Sequence, residues 1–323
     1  MESAARCKLK TQLMNNEKAV QSNNLIQVHR QEKISQAFIV ACGIGAALLP
    51  FLMAAFLLVK GSGTFWEFHH SVFEFLFSPV WSPSDSMEGG GQVGAAMFIA
   101  GSLVTCLLSL VFALPVSLTA AIYMSEMATP AQQRFLRPIV ELFTGIPSVI
   151  YGWIGLTVLV PFLRQIFPMP FGFSVLAASL VLAVMIFPVI TTMAADAMLA
   201  VPKTWRDASY GLGATRWETI RQVILPAAHR GIFTGIVLGM ARALGEALAV
   251  AMVIGQMKRF PTSLFMPAST MTTVIANDMG GAMEGGEYSA ALWALALLLF
   301  LLSFLLIFMI HNMRLGSSPA KEA

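Results

Sequence analysis

Long runs without a charged side chain constrain this chain more than any other feature. Residues 34–59, twenty-six in all between Lys33 and Lys60, carry no charge. A helix of that length crosses the roughly 30 Å of a bilayer's hydrocarbon with some tilt. Five further runs follow: one within 89–125 that Pro115 is expected to interrupt, then about 138–163, 171–195, 232–257 and 288–310. In hydrocarbon a backbone must satisfy its own polar groups, so these runs are read as helices. The expected fold is all-α, a polytopic membrane protein with six transmembrane helices. Only 11% of the residues are charged, against about 25% in soluble domains, which excludes a water-soluble globule.

The three cysteines, Cys7, Cys42 and Cys106, are too few for a disulfide framework and fit no zinc or haem spacing. The first run follows a long, predominantly polar stretch of 33 residues and lacks a small-residue cleavage pattern after it, so it is expected to remain in the mature protein.

Lys and Arg fix the expected orientation, because cytoplasmic loops accumulate them. With the N-terminus inside, fifteen of the twenty fall on cytoplasmic segments, including Arg134, Arg137, Lys203, Arg206, Arg216, Arg221 and Arg230. Only Lys60, Arg164, Lys258 and Arg259 fall outside, while Arg242 lies within the fifth span. Both termini are therefore expected in the cytoplasm. The expected organisation is a cytoplasmic tail at 1–33, a six-span membrane domain at 34–313 and a short cytoplasmic tail at 314–323.

Two long outer loops remain, 61–92 and 258–287. The first is acidic and aromatic, with Trp66, His69, His70 and Trp81 beside Glu67, Glu74, Asp85 and Glu88, and ends in the run Gly89, Gly90, Gly91, expected to be flexible. Neighbouring histidines rarely point at one ion and no third ligand is evident, so no metal is expected. An aromatic belt at headgroup depth and a docking surface for an external protein both fit this loop.

The inner loop between spans four and five is the most informative segment. Trp205, Ala208, Leu212, Trp217, Ile220 and Ile224 recur every three to five residues, the pattern of short amphipathic helices broken around Gly211 and Gly213. Leu225 and Pro226 are expected to stop the second helix. Such a pair makes a knob that another protein could grip, or a helix lying on the anionic inner leaflet.

Span five carries Arg242 and Glu246, and charge at that depth costs about 2.5 to 3.5 kcal/mol on insertion scales. Four residues apart on one helix, the two can pair and leave guanidinium donors free. The planar fork of Arg suits an oxyanion, and phosphate would fit. A purely structural ion pair is the alternative. The same span shows Gly231, Gly235, Gly239, Ala243, Ala247, Ala251 and Gly255 at every fourth position, a ridge along which helices approach closely. In span three Pro147 should kink or break the helix, which makes it a candidate gate or a packing kink. Glu141, near the inner end, is a weaker pathway candidate.

The inner loop resembles the EAA loop of ABC-importer permeases: Glu-Ala-Ala, three residues, Gly, nine residues, then Ile-x-Leu-Pro. Asp207, Ala208 and Ser209 stand at the triplet, Gly213 at the glycine, and Val223, Leu225 and Pro226 at the end, with Asp, Ser and Val as conservative departures. Three further stretches, 140–156 (VELFTGIPSVIYGWIGL), 239–255 (GMARALGEALAVAMVIG) and the weaker 75–83, are similar to the PstC-type permease subunits of phosphate ABC importers. The resemblance covers about 75–255. It implies the type I, MetI-like permease architecture and a coupling role for Asp207, Ala208, Gly213, Val223, Leu225 and Pro226. It also implies a PstA-type partner permease, two cytoplasmic PstB-type ATPase subunits that bind ATP and Mg, and a periplasmic phosphate-binding protein. A bacterial inner-membrane location goes with it.

The chain has no G-x-x-x-x-G-K-[ST], so the energy is expected to come from another subunit and no cofactor is expected here. HExxH and G-x-S-x-G are also missing, which leaves an intramembrane enzyme without an evident site. Nothing in the sequence points to nucleic acid. The alternatives are a permease for sulfate or molybdate and, from another class, a stand-alone channel or secondary carrier, which would need no docking knob.

Overall fold

The computed structural model of the chain describes residues 2–168 and 171–315. The expected C-terminal tail lies outside them except for its first two residues. Among the described residues six helices are long and apolar enough to cross a membrane: Ser35–Trp66, Ala96–Met127, Ser148–Ile166, Val175–Leu199, Arg216–Gly245 and Glu287–Met309.

The chain divides into two units, Met1–Phe56 and Leu57–Ala323. The first belongs to α1, Glu2–Trp66, which is helical from its polar start through the first apolar run. Phe38, Leu48, Phe51 and Leu52 are exposed, as helices facing lipid require.

The second unit is built around α7, Val175–Leu199, whose apolar window is two-thirds buried. Helices α3 (Ala96–Ile122), α10 (Leu225–Gly245) and α11 (Leu248–Ile254) pack against it. Hydroxyls tie α3 to α7: Ser179 Oγ donates to the Thr105 carbonyl (3.2 Å), and Ser117 Oγ to that of Phe187 (3.2 Å). Such groups help to join membrane helices, where the surrounding lipid is as apolar as the side chains. Pro115 does not interrupt α3 as expected; the helix runs on through it. One missing donor leaves one carbonyl without its helical partner, a loss that packed membrane helices tolerate.

The third crossing begins later than expected. Helix α4, Pro130–Gly145, has a capping box between Thr129 and Gln132 and ends before Ile146 and Pro147, both extended. Helix α5, Ser148–Ile154, restarts with Pro147 as its N-cap, and a π-turn at Gly155–Leu159 joins it to α6, Val160–Ile166. A second π-turn, Ile220–Ile224, links α9 (Arg216–Thr219) to α10. Pro226 therefore does not stop the helix. The Leu225 N–H reaches back five residues to the Ile220 carbonyl, and the wider turn accommodates the proline in the first turn of α10. The turn before Pro161 has the same form, with the Val160 N–H on the Gly155 carbonyl.

Segment 256–287 is more than a loop. It holds a half-helix, α12 (Met271–Asp278), whose first turn is buried against α3 and α13 (Glu287–Leu315). The segment before it forms a parallel bridge from Ala268 to Gly255.

Candidate functional site

Helix α10 approaches α7 along its small residues. An added Cβ at Gly231 would lie 2.4 Å from Ala197 Cβ, one at Gly235 2.8 Å from Met193 Cβ, and one at Gly239 2.9 Å from Ile190 Cγ1. Ala243 is buried one turn further on. The ridge then stops. Helix α10 ends at Gly245, Glu246 is extended (φ −77°, ψ 124°), and α11 starts at Leu248. The expectation of one unbroken helix carrying Arg242 and Glu246 as an i,i+4 pair is thus corrected. Glu246 turns away and its Oε1 accepts from the Ala249 N–H (3.2 Å), capping α11. Arg242, in the last turn of α10, forms no ion pair among the described residues.

The break is surrounded by hydroxyls that the sequence reading did not single out. Thr272 Oγ1 donates to the Glu246 carbonyl (2.9 Å), and Ser102 Oγ accepts from the Met271 N–H (2.9 Å). Ser102, Thr105, Ala243, Glu246, Thr270 and Thr272 border a polar cavity of about 10 Å³, room for one water. One sequence signal was available: residues 260–277 carry no charge, which is unusual for a wet loop.

Glu141 lies apart from this break, on α4, half-exposed and paired with Arg137 at 3.0 Å. Arg137 also meets Asp196 at 3.0 Å, and the two carboxylates raise its already high pKa, the hydrogen bond it donates to Glu141 contributing most. Pro147 is exposed at the α4–α5 break.

The knob comprises α8 (Lys203–Gly211), a turn and α9. Gly213 has φ +84°, a left-handed conformation that glycine adopts freely, and Thr215 with Glu218 forms a capping box. Ser209 and Thr219 hydroxyls join the two helices (2.9 Å). Arg206 fixes the base, meeting Glu126 at 2.7 Å and donating to the Met198 carbonyl at 2.7 Å; Arg216 donates to the Glu126 carbonyl. Ile220 and Ile224 are fully buried in a cluster with Ala121, Ala194 and Met198, and Val223 and Leu225 are half-buried. Asp207, Ala208, Gly213 and Pro226 are exposed. So are Trp205, Tyr210, Trp217 and Leu212, the last 90% exposed at the tip. The motif thus divides into a packed root and an open tip.

In segment 61–92, the Gly89–Gly91 run expected to be flexible is clasped at Gly91. The Gly91 N–H donates to Glu287 Oε2 (2.9 Å), and a Cβ there would lie 2.3 Å from the Ser84 nitrogen. Fully buried Glu287 also accepts from the Ser84 N–H (2.7 Å) and meets His70 Nε2 at 2.6 Å. His69, at φ +57°, is not part of this clasp. Trp81 packs edge-on against Phe98 and Tyr288, whereas Trp66, Phe73 and Phe77 are exposed.

Residues 113–314 match the family model of the binding-protein-dependent transport system inner membrane component. The chain belongs to that family. It is a multi-pass membrane permease component, not an enzyme. It is 43% identical to a probable ABC transporter permease protein, YqgH, of Bacillus subtilis, over 92% of this chain and 96% of that one. It is 33% identical to the phosphate transport system permease protein PstC of Mesorhizobium japonicum (90% and 92% covered) and 35% to that of Haemophilus influenzae (84% and 90%). Among solved structures, a bacterial ABC transporter that imports alginate superposes with TM-score 0.58 at 16% identity, covering 89% of this chain and 99% of that one. The MetNI methionine ABC transporter superposes with TM-score 0.52 at 22% identity, covering 68% and 94%. These likenesses establish the type I importer permease fold.

Proposed function

We propose that this chain is the transmembrane permease subunit of an ATP-driven inorganic phosphate importer and forms half of its anion pathway. The observation that carries the reading is Arg242, a guanidinium without an ion-pair partner among the described residues, beside a helix break, in a chain whose relatives bear phosphate-transport names. Its five N–H donors fit the oxygens of a tetrahedral oxyanion, and Glu246, turned aside, leaves them available. Glu141, already paired and half-exposed, is a secondary element of the pathway, and the break at Pro147 is its gate or a fixed kink.

The exposed face of the knob, with Asp207, Ala208 and Gly213 and, at its root, Pro226, is the surface for a cytoplasmic ATPase, while Val223 and Leu225 anchor it. A knob whose second helix runs on through the π-turn into α10, and whose base is pinned by Arg206 to Glu126 at the end of α3, moves as one piece with those helices, which is what relaying a distant conformational change requires. Two PstB-type ATPases that bind ATP and Mg, a PstA-type permease partner and a periplasmic phosphate-binding protein complete the complex. It sits in the bacterial inner membrane with both termini cytoplasmic. The chain divides into a tail at 1–33, the permease domain at 34–313 and a tail at 314–323.

The test is ATP hydrolysis by the complete complex reconstituted in liposomes. Phosphate with its binding protein is expected to stimulate hydrolysis where sulfate and molybdate do not; stimulation by either of those instead would replace the substrate. Arg242→Ala is expected to abolish phosphate uptake while the complex still assembles.

A further inference from the structure

Glu246 has a backbone carbonyl released from helical bonding. In a continuous helix it would accept from the Val250 N–H; among the described hydrogen bonds its partner is the Thr272 hydroxyl, at 2.9 Å. That hydroxyl comes from α12, which is fixed independently of the break. Thr270 and Thr273 form its capping box, the Met271 N–H is bound by Ser102 Oγ (2.9 Å), and α3 lies so close that a Cβ at Gly101 would meet the Ser269 carbonyl oxygen at 2.2 Å. A rigid element therefore presents a donor to one of the carbonyls that an intact α10–α11 helix would reclaim, that of Glu246.

We propose that Thr272 is a positioning residue for the pathway, with the start of α12 as a wedge that holds the break at Glu246 open. Without the hydroxyl, the Glu246 carbonyl is left unsatisfied in a largely buried setting, and its nearest remedy is the helical bond to Val250. Re-forming that turn returns Glu246 to the position four residues from Arg242 on one helical face, where the carboxylate neutralises the guanidinium. The wedge thus keeps Arg242 free for an anion. The inference rests on the reading of Arg242 as part of the anion path.

The test compares Thr272→Val, which has the same shape but no donor, with Thr272→Ser, which keeps it, in the complete complex reconstituted with binding protein and phosphate. Thr272→Val is expected to lower the maximal uptake rate roughly tenfold, the scale of one unmade buried hydrogen bond. The concentration of loaded binding protein at half-maximal rate stays within about twofold, because outside capture does not involve the break, and recovery of the complex is unchanged. Thr272→Ser is expected within about threefold of the parent. Uptake by Thr272→Val within about twofold of the parent, a serine variant as impaired as valine, or an uptake loss that merely tracks lost complex would each overturn the inference. If valine prevents assembly, Thr272→Ala carries the same expectation and the same refutation. Arg242→Ala serves as the parallel control. Normal uptake there removes the pathway reading itself, whereas loss of uptake in Arg242→Ala beside a fully active Thr272→Val removes only the role of Thr272.

Discussion

The knob at 203–226 and the wedge at 256–287 both interrupt the run of membrane helices, yet they are built in opposite ways. The knob buries its root, Ile220 and Ile224, and leaves Trp205, Leu212 and Trp217 open at its tip. The wedge buries residues 268–274 almost completely and meets its neighbours backbone to backbone. One leaves large apolar side chains uncovered by the described residues, and the other is a part of the interior that finds its partners within the chain. Substitutions should therefore act on the wedge through stability and on the tip of the knob through partners.

The largest expected effect lies in the wedge. At Gly101 an added Cβ would meet the Ser269 carbonyl oxygen at 2.2 Å, and neither backbone can yield cheaply. Gly101→Val is expected to destabilise the folded chain by more than about 3 kcal/mol, at the upper end of overpacking costs. It should be seen as lost recovery from membranes and a lower melting temperature. The knob supplies its counterpart. Gly213 has open space around it, so Gly213→Ala meets only the left-handed backbone, about 1 to 2 kcal/mol. Equal penalties for Gly101→Ala and Gly213→Ala would break the comparison.

The root of the knob comes next. The side chains of Arg206 and Glu126 are 16% and 7% exposed. Arg206→Ala leaves a nearly buried carboxylate alone, and after allowance for partial exposure about 2 to 3 kcal/mol is expected, measured as melting of the purified complex. Ser102→Ala, which deprives the Met271 N–H of its acceptor, is expected to cost about 1 kcal/mol by the same measurement.

The two regions also differ in how they read from the sequence. The knob was legible because its signals are local: turn glycines, amphipathic spacing and the spaced motif all lie within 24 residues. The wedge was read as part of an outer loop, because eight helical residues are too short for periodicity and its anchors, Ser102 and Gly101, lie about 170 positions away. Prolines misled in both directions. Pro115 and Pro226 were expected to break helices and do not, since packing and a π-turn absorb the missing donor. The break at Glu246 has no proline at all. It rests on the Glu246 carboxylate capping α11 and on a hydroxyl 26 residues further on, neither of which a helical pattern reveals. The six crossings were legible because charge exclusion from hydrocarbon acts on each run separately.

The smallest expected change in stability belongs to Leu212, and it separates the two regions most sharply. At 90% exposure its side chain contributes little to the fold, so Leu212→Ser should alter stability by no more than about 0.5 kcal/mol. An apolar side chain at a turn tip, on a knob that also exposes Trp205 and Trp217 and is fixed at its base by Arg206, gains only when a partner covers it. The variant should therefore keep its melting temperature as an isolated permease yet lose ATPase on purification and lose substrate-stimulated hydrolysis. A full complement of bound ATPase in Leu212→Ser and in the bulkier Gly213→Trp would mean that the tip faces lipid headgroups instead. The knob would then differ from the wedge only in what covers it, lipid in place of the chain's own helices.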